Sequence, residues 1–303
     1  LAKTNPVLPK TLDYRNELLP IRNQGNQGTC FAMAVACMKE YQEKKDYNLN
    51  EYLSPQFFYN IRGNLYDDIS SNDYGMYGRN AMKLLSNYGI CTERLYPYER
   101  IQHKDKINSY CYEEACNHKI KNYGKVLTME SLKYCLKYNG LCIILFPVYN
   151  YSSQMWIKNS NDQFLGGHAM NVVGYLEDCF IIRNSWGLDW GNKGYTYYYF
   201  KDWNAHWEIW TTIDKTGSKK LEILPPLPES PTKPKPKTSP KVQSLNNNNN
   251  NNNIIDFDII IPDNESTPPP PSPIPSPIND DDDTIIPPLP KPKPKSQTKI
   301  YEK

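Results

Sequence analysis

Long apolar runs are missing from this sequence. A helix that crosses a bilayer needs about 20 consecutive apolar residues. The longest stretch here, Leu141–Val148, is the length of a buried strand and carries a proline, so no membrane span is expected. Net charge is nearly absent too. The 35 Lys and Arg against 33 Asp and Glu leave +2, which gives no basis for expecting nucleic acid as a partner. The chain opens on Leu1 with no signal-like stretch, and the expectation is a processed start with a targeting or pro-segment once upstream.

Proline is scarce up to Asp214, with six of the 26, and aromatic residues are scarce beyond it, with Phe257 and Tyr301 alone. The segment 215–303 carries two KPKPK repeats, an asparagine run at Asn246–Asn253 and an acidic run at Asp280–Asp283. Such a composition buries too little apolar surface to offset the entropy of ordering it. We therefore expect a folded domain over residues 1–214 and a disordered Pro/Lys/Asn-rich tail. The apolar patch IIDFDIII (254–261) stands out in that tail as a sticky spot or a docking peptide.

Within the folded part, helical patterns precede strand patterns. Residues 30–42 place Cys30, Ala34, Cys37 and Tyr41 on one helix face. Ser54-Pro55 reads as a cap and first turn opening a helix through Ile61. Asn80–Tyr88 stops at Gly89, and a helix capped by Thr128 stops at Gly140. Strands are expected at 141–148, 169–175, 179–184 and 194–200. This order implies α+β with a helical N-terminal lobe and a strand-rich, β-barrel-like C-terminal lobe. A cleft between lobes is the natural place for a site.

Three motifs carry chemistry. RNQGNQGTCFAM (22–33) is a Gly-rich approach to Cys30 at a helix start, where the helix dipole favours a thiolate. GGHAMNVVGY (166–175) sets His168 at a strand start behind Gly166 and Gly167. IIRNSWGLDWGNKGYTYY (181–198) holds Asn184 beside Trp186. Singly each is weak, since a helix-terminal Cys is more often a small buried residue and a lone His more often structural. Their joint occurrence in this order points to a thiol nucleophile with an oriented base.

On these residues the chain resembles the papain family, which includes the cathepsins, over about 200 residues from Leu12 to Phe200. In that family the His and Asn follow the Cys by roughly 130–150 residues; here the separations are 138 and 154. Asn23-Gln24-Gly25, Tyr88-Gly89-Ile90, Tyr96-Pro97-Tyr98 and Asn184-Ser185-Trp186-Gly187 add to the match. The resemblance implies a cysteine peptidase, taken as an endopeptidase, acting on protein or peptide substrates without a cofactor or metal. Cys30 would be the nucleophile, His168 its base, Asn184 the residue orienting that base, and Gln24 with the Cys30 N–H the oxyanion hole. Trp186 would shield the His–Asn bond, and a pro-segment or protein inhibitor would be a further occupant of the cleft. Met76, Tyr77, Gly78, Gly166, Gly167 and Ala169 are candidates for the substrate pocket, expected to be apolar.

The departures are informative. Gln27 stands where the family usually has a cysteine, and by alignment its partner falls at Asp73, so that bridge is replaced at both ends. Met76 replaces a glycine that usually lines the substrate strand. Seven cysteines besides Cys30 cannot all pair; Cys111 with Cys116, or Cys91 with either, stays open, and alternatively Cys37, Cys135, Cys142 and Cys179, in apolar contexts, read as buried free thiols. A histidine-bearing loop within Glu99–Lys121 would make the chain an exopeptidase. The rival reading is a catalytically silent papain-like binding module. A lysosome-like, secreted or virion setting is compatible with this composition.

Overall fold

The computed structural model describes residues 8–65, 73–99 and 101–214, together with a two-residue strand at 259–260. These described residues fall in one compact unit. The KPKPK repeats, the asparagine run and the acidic run lie outside the described residues.

Helix α1 spans Cys30–Tyr47, and every residue from Cys30 to Glu43 is buried. The sequence pattern implied one buried face. Small Ala32, Ala34 and Ala36 let neighbours close on all sides, so α1 is a central core helix. Helix α2 (Pro55–Asn60) begins as expected, with Phe57 N–H donating to Ser54 Oγ at 3.0 Å. Helix α3 (Gly78–Asn87) starts two residues before the expected position. Helix α4 (Ser109–Ala115), capped by Asn108, has no counterpart in the sequence pattern. Helix α5 (Met129–Tyr138) is capped by Thr128. Gly89 and Gly140 follow α3 and α5 at φ of 76° and 92°, the left-handed backbone that ends a helix.

The strands are β1 (Leu12–Asp13), β2 (Ile120–Val126), β3 (Cys142–Val148), β4 (Gly166–Tyr175), β5 (Cys179–Arg183), β6 (Tyr195–Tyr199), β7 (Glu208–Asp214) and β8 (Ile259–Ile260). They pair antiparallel in the order β6-β5-β4-β3-β7-β2-β8, with β1 on β4. Strand β8 comes from the IIDFDIII patch, its Ile260 and Ile259 pairing with Lys125 and Val126. Two-residue alternation sends Ile143, Leu145, Ala169 and Val173 toward α1, α2 and α3. Ile144, Phe146, Met170 and Val172 point the other way, into a second cluster with α5, Trp156 and Tyr198. All eight cysteines are free thiols. Cys91 neighbours Cys111, and Cys135 neighbours Cys142.

A buried charge cluster ties α1 to the sheet. Lys39 Nζ lies 2.9 Å from Glu43 Oε1 and 2.5 Å from Asp214 Oδ1, and His118 Nδ1 lies 3.1 Å from the same Glu43 oxygen. Against the upward push of burial, His118 and Lys39 hold the Glu43 carboxyl down at about 2. Burial pushes His206, whose Nδ1 is 2.9 Å from Tyr198 Oη, down to about 4. Both folded values lie below the ordinary ones, so both contributions are complete at neutral pH. The His206 share is lost as pH falls from 6.5 to about 4, and the Glu43 share as it falls from 4.5 to about 2. A thermal melting series is expected to show Tm falling through both windows. Burial lowers His168 to about 4 as well, so the upper window is shared, and His206→Gln should reduce its slope without abolishing it; an unchanged slope there would contradict this assignment.

Candidate active site

The loop before α1 is held by side chains distant in sequence. Gln24 N–H donates to Ser185 O at 2.8 Å, and Ser185 Oγ donates to Gln24 Oε1 at 2.7 Å. Gln24 Nε2 donates to Gln27 O at 2.9 Å, and Tyr98 Oη donates to Gln24 O at 2.7 Å. Gly28 N–H is held by both oxygens of Asp73, at 2.8 and 3.0 Å. This frame delivers Cys30 to the first position of α1, at the positive end of an 18-residue helix.

Strand β4 supplies His168, and the residue just past β5 supplies Asn184. His168 Nε2 lies 2.6 Å from Asn184 Oδ1. The same oxygen accepts the Ser185 backbone N–H at 2.7 Å. A backbone N–H only donates, so the atom it meets is the amide oxygen, and Nε2 must carry the ring proton. The lone pair of the neutral ring therefore sits on Nδ1, which is buried and without a hydrogen-bond partner among the described residues. Trp186 covers the ring, with centroids 4.4 Å apart. The N–H of Ala169, the next residue, is among the groups that favour the Cys30 thiolate.

Burial raises the Cys30 thiol to about 11, against the N–H groups of Ala169, Phe31 and Cys30 that favour the thiolate. Burial also lowers the His168 imidazolium to about 4, against the hydrogen bond to Asn184. Each group taken alone is held neutral.

The pocket candidates divide. Gly166 and Gly167 open β4 opposite Val148 and Pro147. Met76 is buried in the helical core cluster, and Tyr77 precedes α3. A Cβ on Gly78 would come 2.4 Å from Trp210 Nε1 and 2.6 Å from Glu208 Oε2. Glu208 Oε1 is in turn 2.8 Å from Lys125 Nζ. The Gly78 candidate thus has a partly buried ion pair behind it, which no local motif announced. The contacts of Ser185, Asp73 and Asn171 are likewise not marked by pattern, because each acts on backbone or side chains far along the chain. Asn171 Nδ2 donates to Ala34 O at 2.9 Å, joining β4 to α1 one turn past Cys30. Among the described residues no cluster of three or more His, Cys, Asp or Glu is placed to hold a metal ion, and no helix is long and apolar enough to cross a membrane.

A two-lobe α+β fold with a cysteine at the start of its central helix and an oriented histidine on the facing sheet defines the class. The chain belongs to the papain family of cysteine proteases: the family model described as papain family cysteine protease matches residues 8–212. It is 29% identical over 216 residues to an uncharacterized peptidase C1-like protein of Acanthamoeba polyphaga mimivirus, covering 64% of this chain and 70% of that protein. Cathepsin K of Mus musculus is 31% identical over 205 residues, covering 62% of this chain and 59% of its own length. Papain of Carica papaya is 27% identical over 208 residues, with 62% and 54% covered. The chain thus spans under two thirds of both cathepsin K and papain. Among solved structures, the cysteine protease xylellain of Xylella fastidiosa superposes with a TM-score of 0.62 at 25% identity, over 69% of this chain and 88% of that one.

Proposed function

We propose that this chain is a thiol-dependent endopeptidase that cuts peptide bonds through a thioester on Cys30. The observation that carries it is the fixed His168 ring, with Nε2–H committed to Asn184 and Nδ1 left as a buried, unpartnered base.

Burial penalises a lone charge on either Cys30 or His168. Passing the thiol proton to Nδ1 creates both charges together and leaves the pair neutral overall. Attraction between such charges at about 4 Å is worth about 4 kcal/mol at an effective dielectric of 20, and the α1 N-terminus adds to it. The thiolate attacks the substrate carbonyl carbon, forming a C–S bond and a tetrahedral oxyanion. Gln24 Nε2–H and the Cys30 backbone N–H would donate to that oxygen. Collapse breaks the C–N bond as the His168 proton passes to the leaving amine. Water, deprotonated by His168, then attacks the thioester, releasing the acid and restoring the Cys30 thiol. Trp186, packed on His168, keeps water from the Nε2–Asn184 bond.

The histidines of the 99–121 segment support endopeptidase action. His118 is buried against Glu43 of α1, and His103 Nδ1 accepts the Asp105 N–H of its own turn. Neither is committed to holding a chain terminus. Hydrolysis of internally quenched peptides from about pH 4 to 8, under reducing conditions, tests the proposal. Turnover is expected; none at any pH would favour the binding-module reading.

Asn171→Ala should sever the tie between β4 and α1 and let Cys30 drift from His168. A misplacement of about 1 Å can cost about 100-fold, so kcat is expected to fall roughly 10–100-fold with KM little changed. Steady-state kinetics on one peptide checks this.

A further inference from the structure

The loop that presents Cys30 is anchored by a carboxylate. Asp73 Oδ1 and Oδ2 accept the Gly28 backbone N–H at 2.8 and 3.0 Å, two residues before the thiol. Tyr59, fully buried on α2, donates its hydroxyl to Asp73 Oδ1 at 2.6 Å and accepts the Gly75 N–H at 3.0 Å. Arg62 stacks over the Tyr59 ring, 3.6 Å from its centroid. Gln27, next to Gly28, is turned away and donates to Glu99 O at 3.0 Å. The carboxylate is therefore the side-chain group that holds this stretch of loop to the 73–75 segment.

We propose that Asp73 is a positioning residue for Cys30: oriented by Tyr59, it pins the Gly28 backbone and so the start of α1, and its charge bears on the thiol. This rests on Cys30 being the reactive thiol. The tether needs no oxidation: position 73, one of the two that the family resemblance assigns to a cysteine pair, is joined by hydrogen bonds to Gly28, the neighbour of the other. Two consequences follow from the chemistry of a carboxylate in that place. It fixes geometry as a cross-link would, and it opposes a negative sulfur. Burial is the main cause of the raised Cys30 value, and the Asp73 charge acts in the same direction. The other ionisable groups around the pair are Tyr59, Arg62 and Tyr98 on the Asp73 side and His168 on the sheet side.

The test is the pH dependence of Cys30 alkylation by iodoacetamide, read by mass spectrometry of the Cys30 peptide in the parent, Asp73→Asn and Asp73→Ala chains. Asparagine keeps an oxygen for Gly28 and Tyr59 but drops the charge, so its alkylation midpoint should move down. Alanine drops both, so its midpoint should move down and its kcat for a peptide should fall roughly 10–100-fold. A packing role alone would lower Tm in both variants and leave the midpoint in place. A midpoint in Asp73→Asn equal to that of the parent would overturn the proposal, as would a parent-like kcat in Asp73→Ala. The midpoint is measurable whether or not the chain turns over peptide, so failure of the peptidase reading shows separately, as absent hydrolysis in the parent.

Discussion

Cys30→Ala is expected to reduce peptide hydrolysis by on the order of 10⁵–10⁶-fold, because removal of a covalent nucleophile disables every step that depends on it. The fold should survive. Cys30 occupies the first position of α1, its side chain makes no tertiary ion pair, and alanine is the strongest helix former. Tm is expected to stay within a few degrees of the parent, since deleting one small buried sulfur costs at most a few kcal/mol. His168→Ala should reach a similar floor, and the double variant should lose little more, because nucleophile and base act as one unit. Single-turnover and steady-state assays on purified, folded chains check this. Hydrolysis by Cys30→Ala within about tenfold of the parent would remove the thioester mechanism.

Gln24→Ala is the second large effect. The side chain has two attachments: its Oε1 receives the Ser185 hydroxyl, and its Nε2 donates one proton to Gln27 O. An amide nitrogen carries two protons, which leaves one for an oxyanion. Losing one oxyanion-hole donor typically costs about 10²–10³-fold in kcat, and that is the expected loss, with KM nearly unchanged. Ser185→Ala is the control, since it frees the amide oxygen but keeps the donor; less than tenfold is expected. Equal losses in the two variants would assign Gln24 a role in holding the loop only.

Much of this architecture was legible because its signals are local. Ser54 and Thr128 cap the helices they were expected to cap, and Gly89 and Gly140 end theirs at positive φ. The apolar run at Leu141–Val148 became β3 at the middle of the sheet. Strands β2 and β7 carry weak signals: IKNYGKV has an internal glycine and two lysines, and EIWTTID begins and ends on an acid. Their stability comes from pairing with each other over long sequence distance. The same physics hid part of the site. Cys30, His168, Asn184 and Gln24 stand in motifs that chemistry makes recognisable. Asp73, Asn171 and Ser185 are ordinary polar residues until folding brings them to Gly28, Ala34 and Gln24. Residue 73 also shows how a departure from the resemblance can be read. The missing cysteine pair was visible in sequence; that a carboxylate–backbone contact takes its place was not.

The most direct test is reaction with the epoxide inhibitor E-64 under reducing conditions, followed by peptide mapping and parallel assay of hydrolysis. A single adduct on Cys30, with hydrolysis lost in proportion to labelling, is the expected result. Hydrolysis that persists with Cys30 fully modified, or a Cys30 that no pH between about 4 and 8 renders reactive, would contradict the assignment of Cys30 as the nucleophile.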